Sequence, residues 1–279
     1  IIIIIIMKQI PKLSLHEKVI TRLFKKAEKL IIFDIGACEG LSSVRYLSFF
    51  PSAEIYTFEP VPKNFKKLQN NKEKYKLNNL KPFEIGLSKE IGEATFHISS
   101  GTPPNKVKPA DDSSEFGNKS SSLFKPDKTK EIHPWLKFKE TITIKTDTID
   151  NFCETQNITF IDFIHMDVQG AELMVLQGGN NMLKKVKSIW LEVERISLYK
   201  DQALKEDIEL FLSSNGFVCQ LNKVNHIAGD QLWVKKSYLK KLDSKTKSYL
   251  ANLKTKTELK SSVSSFFGGI GYKLKKVFK

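Results

Sequence analysis

No apolar run in this 279-residue sequence approaches the ~18 residues that a membrane-spanning helix requires. Nor does an apolar stretch precede a small-residue cleavage site of the kind that marks secretion. Ile1 to Ile6 form a run far too short to span, with Lys8 and Lys12 close behind. They are set aside as an artefact, with the natural start expected at Met7. Cysteine is scarce: Cys38, Cys153 and Cys219 are far apart and odd in number, which excludes a disulfide framework and a zinc site. Such usage fits a reducing cytosol. Acidic residues are nearly missing from one end. Lys235 to Lys279 holds thirteen lysines against Asp243 and Glu258, so +11 of the formal +14 sits there and the rest of the chain is nearly balanced.

What remains is enough chain for one large domain and an appendage. The expected organisation is an N-terminal helical lead-in over 7–30, a main domain over 31–236 and a basic tail over 237–279. Within the main domain short apolar strands alternate with helices. Strands are expected at Leu30 to Gly36, Glu54 to Phe58, Lys81 to Leu87, Phe160 to Asp167 and Lys187 to Val193, with helices at Glu39 to Phe50, from Pro62 through Leu77, and from Ala171 to Gln177. This pattern predicts an α/β, Rossmann-like, doubly wound and mostly parallel sheet. Ile91 to Ile98 and Thr141 to Lys145 read as further strands. Thr148 to Thr155 reads as a helix capped by Asp147, and Gln202 to Ser214 as a helix stopped by Asn215-Gly216. Phe217 to Leu221 and Gln231 to Lys235 read as a closing antiparallel pair. Between Ile98 and Thr141, the segment 99–139 is rich in Pro, Ser, Asp and Lys with almost no periodicity, and is expected to be a long insertion.

Three loops carry chemistry. In Asp34-Ile35-Gly36-Ala37-Cys38-Glu39-Gly40 an acid ends a buried strand and two glycines flank the turn into a helix. The spacing is neither that of a dinucleotide binder nor that of a phosphate-binding P-loop. A zwitterionic amino-acid ligand suits it, with its carboxylate on backbone N–H groups and its ammonium reaching Asp34 directly or through water. Glu59, at the tip of the second strand, can accept the hydroxyls of an adenosine ribose. Asp167 ends a third buried strand and Gly170 permits a sharp turn. Asp34, Glu59 and Asp167 should therefore line one crevice, because ligands of open α/β sheets lie beyond the carboxyl ends of the strands.

The stretch from Ile161 through Asp167, Gly170 and Glu172 to Gly178 resembles the signature of the FkbM-type methyltransferase family. The resemblance extends to the Asp34 loop, Phe58-Glu59-Pro60 with Asn64 and Phe65, Gly86-Leu87-Ser88, Ser121-Ser122-Leu123 and Asp147, covering roughly Ile31 to Phe217. It implies a class I fold of about seven strands that binds S-adenosylmethionine, and methyl transfer to a hydroxyl oxygen of a sugar, glycan or small metabolite. The implied cofactor contacts are Asp34, Gly36, Ala37, Gly40, Glu59, Pro60, Gly86, Leu87 and Asp167. The sequence departs from the family pattern at Cys38 (often Asn), His165 (usually Lys) and Gln169 (usually Glu).

Methyl transfer to a hydroxyl needs an in-line approach and removal of a proton. Asp167 is expected to orient the acceptor, and either Asp167 or His165 to take the proton. His165 reads equally as a satisfied strand histidine. Glu192, at the end of the fifth strand, reads as an acceptor contact or as a solvated strand end. No metal spacing is recognisable. The insertion is expected to form an acceptor lid, with Phe124, Trp135 and Phe138 stacking on a flat partner. In the tail, Phe266, Phe267, Ile270, Leu274, Val277 and Phe278 share one helical face opposite lysines, the pattern of an interfacial helix drawn to anionic lipid. The expected location is cytoplasmic, peripheral at the inner membrane face. Two other readings stand beside this one. One is a nucleic-acid methyltransferase, disfavoured because the charge lies outside the crevice. The other is an inactive S-adenosylmethionine-binding adaptor, motivated by His165 and Gln169.

Overall fold

Strands covered on both faces need no alternation and read as continuous β-branched and aromatic runs. The computed structural model describes residues 13–106 and 116–257 and places those runs at the centre of one sheet. In chain order the elements begin α1 (Leu15–Leu23), β1 (Ile31–Ile35), α2 (Leu41–Phe49), β2 (Glu54–Phe58), α3 (Pro62–Lys74), β3 (Leu80–Phe83), β4 (Gly86–Leu87) and β5 (Gly92–Ser100). After the insertion, which carries α4 (Thr129–Ile132), come β6 (Lys137–Asp147), α5 (Ile149–Thr155), β7 (Ile161–Met166), α6 (Glu172–Gln177) and β8 (Val186–Glu194). The described chain closes with α7 (Lys205–Ser214), β9 (Phe217–Val224), β10 (Ala228–Lys235), α8 (Lys236–Lys241) and a further helix over 244–257.

The main sheet has seven strands in the order β3-β2-β1-β7-β8-β10-β9. The first five are parallel, and β10 runs antiparallel to both of its neighbours. A second sheet, β4-β6-β5, was not foreseen and corrects the reading of Lys81 to Leu87 as one strand. Pro82 is tolerated because β3 is an edge strand. The chain then crosses the end of the main sheet, and Gly86-Leu87 pairs with Thr146-Asp147 instead.

Strand alternation divides the core. Phe33 and Ile35 of β1 face a cluster with Phe152, Val175, Leu176, Ile208 and Leu212 from α5, α6 and α7. Ile32 faces the opposite cluster with Val19, Ile20, Leu23, Val44 and Leu47 from α1 and α2. Asp34 shares that second face. Among the described residues the lead-in is helical over Leu15–Leu23. It opens on a capping box in which Ser14 N donates to Glu17 Oε2 at 2.7 Å. Glu17, 1% exposed, is also paired with Arg45 of α2, which locks α1 against the sheet.

Two other expectations change. The helix after β6 is capped by Thr148, whose hydroxyl accepts from Asn151 N at 3.1 Å; Asp147 braces the turn by accepting from Thr148 N and Asn151 Nδ2. The first half of the basic tail packs on the domain. Tyr238, Leu239, Leu242, Tyr249 and Leu253 lie against the second cluster and Leu250 is 1% exposed within it. The amphipathic face from Phe266 to Phe278 lies outside the described residues. Among the described residues no helix is long and apolar enough to cross a membrane.

Candidate active site

Strand order reverses at β1, with β2 on one side and β7 on the other, so a crevice opens where their carboxyl ends diverge. The Asp34 loop is stitched into it by backbone hydrogen bonds. Gly36 N and Ala37 N both donate to Phe58 O at 3.0 Å, and Asp167 N donates to Ile35 O at 3.0 Å. Gly36 has φ +79°, and a Cβ there would lie 2.0 Å from the Asp167 carbonyl oxygen. Only glycine allows the β1 loop to pass so close to the end of β7.

Glu59 is 5% exposed, and both of its oxygens hold backbone: Oε2 accepts from Cys38 N at 2.8 Å and Oε1 from Val61 N at 2.9 Å. Burial pushes its carboxyl up to about 7 despite those donors. The acid at the tip of β2 thus also fixes the shape of the β1 loop.

Two adjoining pockets follow. The first, about 550 Å³ of empty space, is lined by Gly36, Glu59, Pro60, Gly86, Leu87 and Asp167, with Asn64, Asn118, Lys119 and Leu123 among the other walls. The second, about 590 Å³, is lined by Asp34, Gly36, Ala37, Cys38, His165 and Asp167, with Lys119 at its edge. Gly36, Cys38, Lys119 and Asp167 are common to both. Of the expected residues Glu192 lines neither pocket, and nor does Gly40. Gly40 starts α2, packed against the Leu68 side chain of α3.

Asp34 is 2% exposed and its oxygens are divided between two partners. Oδ2 accepts from Ser43 Oγ at 2.5 Å, and Oδ1 lies 3.1 Å from His165 Nδ1. Burial disfavours the charged imidazole of His165, but the Asp34 hydrogen bond and the charges of Asp34, Asp167 and Asp230 outweigh it and raise its pKa above 6.5. His16 of α1 stacks on His165 with ring centroids 5.4 Å apart. Burial and the His165 charge lower the pKa of His16 from 6.5 to about 4. An unfolded chain therefore binds a proton that folded His16 refuses, and the linked stability falls as pH drops from about 6.5 towards 4. A His16→Phe variant, which keeps a stacked ring, should have a flatter urea midpoint across that window. An unchanged acid slope would show that His16 does not set it.

Glu192 is neither a solvated strand end nor a free carboxylate. Gln169 Nε2 donates to Asp167 Oδ1 at 2.6 Å and to Glu192 Oε2 at 3.1 Å, while Gln169 Oε1 accepts from Tyr199 OH at 3.1 Å. Burial, then the charges of Asp167, Glu172 and Asp230, push Glu192 up to about 9. A glutamine at 169 supplies the amide hydrogens that join these two carboxyl groups, which a glutamate could not do.

The insertion reaches the crevice through different residues from those expected. Asn118, Lys119, Ser121 and Leu123 line it, whereas Phe124, Trp135 and Phe138 line neither pocket. Phe138 instead packs edge-on to Tyr199 at 6.2 Å. Ser122 anchors the segment, donating to Gln169 O at 2.7 Å and accepting from Phe124 N at 3.0 Å. Among the described residues no group of three or more His, Cys, Asp or Glu is placed to hold a metal ion.

The model of the methyltransferase FkbM domain matches residues 34–219, which includes both pockets and the strands that carry them. This chain belongs to the FkbM methyltransferase family. The FkbM chain is 30% identical over 227 residues to the 2-O-methyltransferase NoeI of Sinorhizobium fredii, covering 81% of this chain and 87% of that one. It is 26% identical over 157 residues to Methyltransferase 1 of Beauveria bassiana, covering 53% and 57%. A solved structure of precorrin-6y C5,15-methyltransferase from Geobacter metallireducens aligns at 13% identity, TM-score 0.43, over 81% and 92% of the two chains, too remotely to bear on the site. As an FkbM protein the chain is an S-adenosylmethionine-dependent methyltransferase.

Sequence reading missed His16, Ser43, Asn118, Lys119 and Tyr199. Only His16 carried a local signal, the capping box Ser14 to Glu17 that sets the start of α1. The others lie in a helix interior, loops and an aperiodic insertion, where spacing says nothing about direction.

Proposed function

We propose that this methyltransferase transfers a methyl group to a hydroxyl oxygen of a sugar, glycan or small polyol, with Asp34 and His165 as the proton-accepting pair. The observation that carries this reading is the buried Asp34–His165 hydrogen bond at the edge of a pocket that also holds Gly36 and Asp167. The relative named a 2-O-methyltransferase acts at an oxygen, which supports the same acceptor class here.

The residues present suit S-adenosylmethionine. Backbone close to Gly36 cradles a compact group, Glu59 offers a buried acidic partner for ribose hydroxyls, and the apolar walls Phe58, Leu87, Phe96 and Ile144 suit a purine. When bound, this cofactor supplies an electrophilic methyl on a sulfonium that departs as a neutral thioether. The chain's part is position and proton. Asp167, at the junction of the pockets, holds the acceptor hydroxyl by accepting or orienting its hydrogen bonds. The Asp34 carboxylate occupies His165 Nδ1 and leaves Nε2 to accept the hydroxyl proton as the oxygen–carbon bond forms. Asp34 thereby acts on the imidazole rather than on a ligand ammonium.

The test is labelled methyl transfer with free and nucleotide-linked sugars, oligosaccharides and transfer RNA as separate acceptors. Beside it, S-adenosylhomocysteine is titrated calorimetrically into wild type and Glu59→Ala. Micromolar binding, weakened at least tenfold in the variant, together with a singly O-methylated sugar product, is expected. Turnover on RNA alone would replace the acceptor class. Binding without turnover on any hydroxyl compound would favour the adaptor reading.

A further inference from the structure

The insertion between β5 and β6 returns to the crevice as one turn of 3-10 helix, Gly117–Lys119. The turn is pressed onto the end of β5: a Cβ at Gly117 would lie 2.3 Å from the Ser100 carbonyl carbon. This contact brings Asn118, 7% exposed, into the wall of the first pocket and places Lys119 where the two pockets meet.

The amide of Asn118 is oriented by its neighbours. Nδ2 donates to Asn64 Oδ1 at 3.0 Å and to Glu39 Oε1 at 3.3 Å, with Cys38 Sγ at 3.6 Å. Both oxygens are acceptors only, so the nitrogen must face them and the remaining atom is the oxygen. That oxygen is buried and has no hydrogen-bond partner among the described residues. Native proteins seldom leave a buried acceptor without a donor, and such an atom in a pocket wall marks where a ligand donor belongs. Asn64, its neighbour, also hydrogen-bonds Glu59. Asn64 therefore links the Asn118 amide to the acid assigned to the ribose.

We infer that Asn118 and Lys119 complete the cofactor site from the insertion side. Asn118 Oδ1 accepts from a ribose hydroxyl beside Glu59. The Lys119 ammonium faces the carboxylate at the amino-acid end, near Gly36. The inference rests on the S-adenosylmethionine reading. It gives the insertion a cofactor-clamping role in place of the aromatic acceptor lid expected from its composition.

The test is calorimetry on the full chain with two ligands, S-adenosylhomocysteine and methylthioadenosine. The second keeps adenosine and the thioether but lacks the amino-acid end. Asn118→Ala should weaken both ligands by about tenfold, the loss of one hydrogen bond to a buried acceptor. Lys119→Ala should weaken S-adenosylhomocysteine about three- to tenfold and leave methylthioadenosine unchanged. Lys119 is exposed, so its variant should fold even if Asn118→Ala does not, and its ligand-selective effect then decides the case. Wild-type affinities in both variants, or an equal loss of both ligands in Lys119→Ala, would overturn the inference while leaving the cofactor reading intact. A folded wild type that binds neither ligand would remove both.

Discussion

His165→Ala should lower kcat by about 10²–10⁴-fold, the usual contribution of a positioned general base, while S-adenosylhomocysteine still binds within about twofold of wild type. The separation follows from where His165 sits. It lines the second pocket only, and its partners are Asp34 and the stacked ring of His16. Its pKa is raised by Asp34, so the wild-type kcat should fall as pH drops through a value above 6.5 and level off on the alkaline side. In Asp34→Asn burial would dominate in place of the carboxylate charge, so the acid limb should move to lower pH. The plateau should also fall, because an amide does not enforce the same tautomer. Near-normal turnover in His165→Ala, or an acid limb that stays in place in Asp34→Asn, would remove the pair from the mechanism and leave Asp167 as the base.

The second large effect belongs to Gly36. Gly36→Ala should raise the dissociation constant for S-adenosylhomocysteine by about 100-fold or more, a factor that corresponds to roughly 2.7 kcal/mol. A side chain at φ +79° costs about 1–2 kcal/mol by itself. The added methyl would also meet backbone, the Asp167 carbonyl at 2.0 Å, which cannot yield without parting the ends of β1 and β7. Gly40→Ala is the matched control. It has a similar φ of +73°, but its nearest neighbour is Leu68 Cγ at 2.9 Å, part of a side chain that can turn aside. Its loss of affinity should be clearly smaller. Equal losses in the two variants, or tight binding in Gly36→Ala with an unchanged thermal midpoint, would contradict the assignment of the β1–β7 gap to the cofactor.

Much of the fold was legible because its strands advertise themselves. Ile31 to Phe33, Ile55-Tyr56 and Phe163-Ile164 are apolar because both faces of a parallel sheet are covered, and that requirement leaves a local pattern. The glycines at 36 and 40 and the acids at 34, 59 and 167 were legible for a related reason. Sharp turns and strand-end acids occupy set positions relative to such runs, and the crossover rules bring those positions to one edge. The second sheet was not legible, because Gly86-Leu87 is two residues long and pairs with a strand about sixty positions later. The packed half of the tail was hidden by its lysines. Leu239, Leu242, Leu250 and Leu253 find apolar partners on α1, β9 and β10 that no local pattern announces.

The sequence by itself determined the class of fold, the strand edge where the two pockets open and the family. Each of these depends on short-range order: hydrophobic runs, turn residues and their spacing. Only the tertiary structure decided how the site is wired. It set Asp34 on His165, placed His16 over that ring, joined Asp167 to Glu192 through Gln169, and brought Asn118 from the insertion to the wall beside Glu59. The physical reason is range. A hydrogen bond 3 Å long between residues 131 positions apart depends on every element packed between them, and side-chain direction is settled only when those elements close on one another.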